Sequence, residues 1–325
     1  MATLNGLYTE ATVSTERWFS RKVNDLVFNS NPFAMMLRRD ARTIGGGESL
    51  EMPGIFDTAT GEWFSEFGTY TAAHKEQIGA GRLDWKLYTV PVVLSHLQLL
   101  KNAESRERRF ELAAQKNVVA AKTAANDLGT AIFSLNYSDP NKLTSMDLAI
   151  NRATTTGNET GFTATYAGID RLIEPGATVW IANVDDTSTT LNLSNLQTNY
   201  GLCQEGDERP TIAVTTQTNF NRYWNLLTPI QRLGSEELGK AGFTSLLFNG
   251  IPVVVDSHVN TTNADYWYFI NTNHVELVAH KMAFFTFERA VMPTNQWVHI
   301  GRYFFVGNIM VDNPRYHGKL TALTV

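Results

Sequence analysis

Apolar spacing is most sustained between Asn102 and Ser134, NAESRERRFELAAQKNVVAAKTAANDLGTAIFS. Phe110, Ala114, Val118, Ala121, Ala125, Leu128 and Ile132 recur at steps of three and four residues, which puts them on one helical stripe. No proline interrupts the run, and its only glycine is Gly129. Strong helix formers dominate it. Asn102 is placed to cap the helix, and Glu104 and Glu107 fall in the first turns, where the helix dipole favours carboxylates. The pattern predicts a helix over about 103–133. At ~1.5 Å per residue it would be on the order of 45 Å long. That is well beyond the usual length of about 11–12 residues. Its stripe is narrow and alanine-rich, so a neighbour has to lie close along it.

A second periodicity precedes the helix. Leu83, Trp85 and Leu87 alternate with Asp84, Lys86 and Tyr88, the period of a strand. The apolar phase then passes to Tyr88, Val90, Val92 and Leu94, which predicts a bulge or bend. With Leu50, Met52 and Ile55 upstream, two strands flank a long polar stretch bearing glycines between Gly68 and Gly81. A hairpin with so few core residues near its tip cannot stabilise itself and should lie on another surface. Residues 1–43 mix polar stretches with isolated large apolar residues such as Leu7, Trp18, Phe19 and Phe28. They predict an arm with a short amphipathic helix over Glu16–Phe28, followed by the basic residues Arg38, Arg39 and Arg42. Gly45, Gly46 and Gly47 then allow a change of direction.

After the long helix, Asp139-Pro140-Asn141 supplies a turn, and residues 144–165 read as irregular loop. Order resumes at Tyr166–Ile173. Strands are expected at Val179–Ile181, Pro210–Thr215, Tyr266–Ile270, Val275–Val278 and Ala283–Phe287. Helices are expected at Leu191–Tyr200, capped by Asn192 or Ser194, and at Thr218–Leu233, interrupted near Pro229. Phe248–Asp256 reads as a turn and a short strand. Trp297–Val311 reads as a long strand broken by Asn313-Pro314, and the tail Gly318–Val325 as one more strand. Strands and helices mix without regular βαβ alternation, so the fold class is α+β.

The 325-residue length suits one large domain or two smaller ones, and 43% hydrophobic residues can fill a core. The charged fraction, 18%, is below the usual one-quarter or so, and Asn and Thr take its place. Such a neutral, polar surface suits extensive protein contact. A net charge of -5 argues against a dedicated nucleic-acid binder but not against a protein that encloses nucleic acid. Cys203 is the only cysteine, so no intrachain disulfide is possible, which fits a reducing compartment. No apolar stretch approaches the length of a membrane span, and the N-terminus lacks a signal-peptide pattern. The Asn-x-Ser/Thr triplets at Asn136, Asn158, Asn192 and Asn260 then carry no weight as glycosylation sites.

Catalytic patterns are missing. There is no phosphate loop, dinucleotide fingerprint, H-E-x-x-H or G-x-S-x-G. Gly79-Ala80-Gly81 is a flexible turn. Asp185-Asp186 and Asp256-Ser257-His258 lie beside turns, where Asp serves the backbone. The histidines at 74, 96, 258, 274, 280, 299 and 317 show no ligand-like pairing. Cys203 has no activating neighbour and reads as a small hydrophobe. Trp63, Trp85, Trp180, Trp224, Trp267 and Trp297 are dispersed and read as core or interface anchors. No catalytic, cofactor-binding or metal-binding residue is assigned, and no cofactor is expected.

The ordered set carries more than any one motif. An apolar arm and a glycine break lead to a long hairpin ending in LDWKLY, and VVLSHLQLLKN runs into the long helix. After a Thr/Asn/Gly loop come PTIAVTTQTNFNRYWNLL, LLFNGIPVVVDSHV, NTNHVELVAHK and the long late strand. This order resembles the major capsid proteins of tailed double-stranded DNA bacteriophages, the HK97-like fold, over essentially the whole chain. Its most telling parts are Asn249–Asp256 (NGIPVVVD), the helix after the hairpin and the strand near the C-terminus.

The resemblance implies an N-arm over 1–43, an extended E-loop over 44–90, a P domain over 91–150 and 286–313 with a spine helix at about 103–133, and an A domain over 151–285 and 314–325. It implies a structural subunit, not an enzyme, forming pentamers and hexamers of an icosahedral shell. The shell would enclose double-stranded DNA without sequence-specific binding. The implied location is the virion, with assembly in the host cytoplasm and no membrane, alongside separate scaffolding, portal and decoration proteins. The arm begins at Met1, so no cleaved scaffolding segment is expected. Lys75 and Lys86 lie in the hairpin, but neither an asparagine partner nor a catalytic acid is identified, so no cross-link is expected. An encapsulin-type shell packaging a cargo enzyme shares the fold and is the alternative; the long arm and hairpin count against it. A third reading, an enzyme of unrecognised type, would need a deep pocket with convergent polar groups. A contact is also expected between the small residues of the spine helix and the strand near Tyr303–Val311.

Overall fold

The computed structural model describes residues 31–70, 74–101, 112–135, 139–152, 165–173, 176–227, 246–259 and 265–323. The arm helix expected at Glu16–Phe28, Asn102 with Glu104 and Glu107, and most of the loop within 144–165 lie outside them.

The chain begins with α1 (Pro32–Arg39), β1 (Arg42–Ile44), β2 (Leu50–Ile55), β3 (Ile78–Leu83) and β4 (Lys86–Ser95). Then come α2 (His96–Lys101), α3 (Leu112–Ile132), α4 (Met146–Ala149), β5 (Thr165–Tyr166), β6 (Ile169–Asp170), α5 (Gly176–Val179), β7 (Asn183–Asp185) and α6 (Leu193–Leu202). They are followed by β8 (Ile212–Thr215), α7 (Gln217–Leu226), β9 (Leu246–Phe248), β10 (Ile251–Val255) and β11 (Asp265–Ile270). The last strands are β12 (Val275–His280), β13 (Thr286–Val291), β14 (Val298–Val311) and β15 (Gly318–Leu323). The mixture is α+β.

Two compact units divide these residues. A smaller one takes its described residues from 90–123 and 287–303, and a larger one from 31–89, 124–286 and 304–323.

The larger unit is built around a six-stranded sheet in the order β7-β15-β11-β8-β10-β9. Its middle strands are buried on both faces. On one face Trp267 and Phe269 meet Tyr223 and Tyr200 at ring separations of 5.5 and 5.6 Å, under helices α7 and α6. On the other face Tyr266, Tyr268 and Ile270 join the main core with Phe33, Leu128, Ile132, Phe305 and Ile309. Burial on both sides explains why β11 reads as the unbroken apolar run YWYFI rather than an alternation. Local chemistry ends the elements. Asn192 and Thr216 accept the Asn195 and Asn219 amides and cap α6 and α7. Asn249 and Gly250, at φ of 48° and 84°, make the tight turn between β9 and β10.

A second sheet runs β1-β12-β14-β13, with β4 also on β14. Strand β12 thus pairs with the long late strand, Val275 opposite Val311. Helix α1 was not foreseen. It buries Phe33, Ala34 and Leu37 in the main core, so this end of the expected arm finds its surface within the chain. Gly46 and Gly47, at φ of 139° and 140°, make the change of direction.

Several expectations need correction. On α3 the buried row is Ala120, Ala124, Leu128 and Ile132, a strict step of four. Ala114, Val118 and Ala121, placed on the stripe, are exposed. The run contains so many alanines and valines that adjacent rows look alike, and only packing chooses between them. Leu83, Trp85 and Leu87 do not share a strand: the chain leaves β3 at Leu83 and starts β4 at Lys86. The phase change is real but falls earlier, leaving Leu87 exposed and Val92 and Leu94 buried. Val179 ends a helical turn rather than starting a strand, and Trp180 turns inward to donate its Nε1–H to the Tyr166 carbonyl. Phe285 has φ of 49°, so no strand runs through it, and β13 begins at Thr286. Helix α7 ends at Leu226, and the remainder of the helix expected to Leu233 lies outside the described residues. The stretch read as loop holds α4, whose Ser145 hydroxyl accepts the Leu148 amide.

That helix carries a buried charge. Lys319 Nζ on β15 lies 3.1 Å from both oxygens of Asp147, and both side chains are fully buried. The Tyr268 hydroxyl donates to Asp147 at 2.6 Å. Arg171, also fully buried, donates to the carbonyls of Trp180, Leu148 and Ala149. Such groups are tolerated inside only when paired and hydrogen-bonded.

Candidate assembly surfaces

The hairpin grows out of the main core. Strands β2 and β3 pair antiparallel from Leu50 opposite Leu83 to Ile55 opposite Ile78. At the base Leu50, Met52 and Leu83 are buried, and the Arg82 amide donates to the Ala167 carbonyl at 2.7 Å. A side chain at Gly81 would meet Ala167, Trp180 and Met52 at 3.1–3.3 Å, so glycine lets the ribbon lie close there. Phe56 closes the base against Trp180, with ring centres 5.3 Å apart.

Among the described residues no strand pairing continues beyond Phe56. The tip nevertheless carries four aromatic residues, Trp63, Phe64, Phe67 and Tyr70, all exposed. Trp63 is 105% exposed and Phe67 93%. Phe64 and Tyr70 touch each other at 5.8 Å. The Gly68 amide donates to the Ser65 carbonyl at 2.8 Å, a turn that presents Phe67 outward. Each such side chain left in water forgoes on the order of 2 kcal/mol of burial. A cluster of them marks an interaction surface.

A groove of about 380 Å³ lies elsewhere in the larger unit. Leu128 and Ala131 of α3, Leu143 and Phe305 form its apolar lining, and Lys86 and Lys142 also line it. Within it the Tyr88 hydroxyl donates to Asp127 at 2.6 Å, and burial pushes the Tyr88 pKa well above the usual phenol range.

The residues considered for chemistry take structural places. Asp185 accepts the Thr187 and Ser188 amides in a turn, and Asp186 is buried in an ion pair with Arg152. Asp256 accepts the Phe33 amide at the start of α1 and the His258 amide. His258 bridges from Asp256 to Asn126 of α3, so this cluster ties three elements together. Gly79 and Gly81 lie within β3 rather than in a turn. Cys203 is buried, and burial pushes its thiol up to about 12. Lys75 pairs with Asp57 at 2.6 Å, and Lys86 donates to the Pro140 carbonyl. Trp180 and Trp267 are buried, Trp85 is half-buried against the core and donates to the Gly47 carbonyl, and Trp63 and Trp297 are exposed.

Two histidines were missed as a pair. In the smaller unit His96 Nδ1 and His299 Nε2 approach to 3.0 Å beside Trp297. Two hundred residues of chain lie between them, and no local spacing announces the contact. His274 sits between Asp312 and Glu208. His317 is fully buried and accepts the Asn271 amide; burial pushes its pKa down to about 3. Among the described residues no three His, Cys, Asp or Glu side chains gather as a metal site, and no helix is long and apolar enough to cross a membrane.

No protein-family model and no curated relative matches the sequence. Solved structures do match, over nearly the whole chain. The capsid asymmetric unit of cyanophage A-1(L) is 11% identical, with 98% of this chain and 100% of that chain covered and a TM-score of 0.71. The capsid of the native GTA particle is 10% identical, covers 98% and 100%, and has a TM-score of 0.65. The holo-SrpI encapsulin complex from Synechococcus elongatus PCC 7942 is 7% identical, covers 98% and 96%, and has a TM-score of 0.56. The fold is therefore that of phage capsid proteins, reached at an identity too low for sequence comparison to detect.

Proposed function

We propose that this chain is the major structural subunit of the capsid of a tailed double-stranded DNA bacteriophage. The observation that carries the reading is the hairpin. It holds its base in the chain's own core and leaves Trp63 and Phe67 fully in water, on a fold shared end to end with capsid subunits. Such a surface has one economical use, burial against further copies. Many modest contacts then add up through symmetry and closure.

On this reading residues 1–43 are the N-arm, 44–90 the E-loop, 91–150 and 286–313 the P domain, and 151–285 and 314–325 the A domain. Copies form pentamers and hexamers of an icosahedral shell. It encloses the genome without reading its sequence, in keeping with a net charge of -5. The subunit is structural rather than enzymatic, it assembles in the host cytoplasm and ends in the virion, and separate scaffolding, portal and decoration proteins complete the particle.

An encapsulin-type compartment is the second reading, favoured by the match to the Synechococcus structure. Electron microscopy of the purified protein tests both. Icosahedral shells or hexamer sheets are expected. Particles that package DNA when made with the phage's other components select the first reading, and particles filled with an enzyme select the second. A monomer that never assembles overturns both.

A further inference from the structure

We propose that His96 and His299 form a two-histidine site for a divalent transition ion of square-planar preference, copper(II) or nickel(II). The inference goes beyond the shell reading and does not rest on it.

Three observations point to this ligand. The first is separation. His96 Nδ1 and His299 Nε2 lie 3.0 Å apart. With metal–imidazole bonds of about 2.0–2.1 Å, that spacing gives an angle of roughly 91–97° at an ion held by both nitrogens. Adjacent positions of a square-planar ion, about 90° apart, match it more closely than the corners of a tetrahedron, about 109° apart. The second is placement. His96 stands where β4 passes into α2, and its amide donates to the Trp297 carbonyl at 3.1 Å. His299 lies on β14, which pairs with β4. The Trp297 ring packs on His96 with centres 4.5 Å apart. Paired backbone thus brings the two rings together, and an ion needs no movement of strand or helix.

The third is the donor set. Among the described residues neither ring pairs with a carboxylate, unlike His258 on Asp256 and His274 on Asp312; each of the two meets the other. Imidazoles without carboxylates suit copper, nickel and zinc rather than magnesium or calcium. Both residues are half-buried, which leaves the ion's other positions to water. In the hydrogen-bonded pair one ring donates its inner N–H to the other. On binding, that ring carries its proton on its outer nitrogen instead, and both inner lone pairs turn to the ion. The ion then fastens α2 to β14 within the smaller unit.

The test titrates copper(II), which binds tightest in the divalent series, into the purified full chain. One equivalent per chain is expected, with an axial electron paramagnetic resonance spectrum whose hyperfine pattern reports two imidazole nitrogens. His96→Asn and His299→Asn should each weaken binding at least tenfold. His74→Asn, at an exposed histidine of the hairpin, should leave it unchanged. One nitrogen or none in the spectrum of the unsubstituted chain overturns the site, a readout that needs no variant to fold. So does copper binding that survives both substitutions. Equal loss with His74→Asn means adventitious binding to surface histidines and overturns it too.

Discussion

Strand β11 and the hairpin tip use the same kinds of residue in opposite ways. Trp267 and Phe269 lie at the centre of the six-stranded sheet, fully buried between Tyr200, Tyr223 and Phe248. Trp63 and Phe67 lie on a ribbon whose strand pairing stops at Ile55 and Ile78. In the sheet the aromatic rings stabilise the subunit. At the tip they add nothing to the subunit and are free to stabilise contact between subunits. On the proposed reading, folding energy and assembly energy sit in separate parts of one chain, so that a subunit can fold before it assembles.

The sharpest way to break that contrast is to truncate both tryptophans. Trp267→Ala should cost about 3–5 kcal/mol of subunit stability, read from urea unfolding of the unassembled chain. Trp63→Ala should leave that midpoint unchanged within ~0.5 kcal/mol and lower particle yield. Equal loss of subunit stability at the two sites would abolish the distinction. The buried charge comes next. Lys319→Met alone strands Asp147 and should cost about 3–5 kcal/mol, and adding Asp147→Leu should recover much of the loss. Failure of that recovery would mean that Tyr268 and the remaining contacts depend on the ion pair itself.

His317 adds a pH arm to the same core. Its folded pKa, about 3, lies below the ordinary histidine value of 6.5, so the unfolded chain binds the extra proton between these values. Its contribution is complete above about pH 6.5 and is lost as pH falls toward 3, with a slope on the order of 1 kcal/mol per pH unit. His317→Gln should flatten unfolding midpoints measured between pH 7 and 4. The smallest effect on subunit stability is expected from removing the hairpin tip itself. Replacing residues 58–76 by a tight turn keeps β2 and β3 paired, so the subunit should fold with near-native stability while shells fail to form. A cut through 68–81 would instead remove much of β3 and confuse the two outcomes.

Legibility in the sequence followed the range of the physics. The cap at Asn192, the Asn249-Gly250 turn and the strands at Ile212–Thr215 and Ile251–Val255 are local, set by residues within a few positions of each other. Of the hairpin, the first strand and the polar tip were legible, but its second strand lies at Ile78–Leu83, ahead of the Leu83–Tyr88 alternation that pointed to it. The Lys319–Asp147 pair, separated by 172 positions, and the His96–His299 contact, separated by 203, were not legible. Neither was the groove, since Lys86, Leu128 and Phe305 share no pattern along the chain.

The sequence by itself determined the α+β class, most of the longer helices and strands, and the order of elements that resembles capsid folds. Tertiary structure decided which row of α3 is buried, because alanine and valine rows are alike until a neighbour covers one of them. It decided that Pro32–Arg39 belongs to the core, and that Asp256 holds the Phe33 amide at the start of that helix. It also separated the buried aromatics of β11 from the exposed ones of the tip. Periodicity reports which side chains share a face. Only the packed chain shows whether that face is already covered or still open to a second copy.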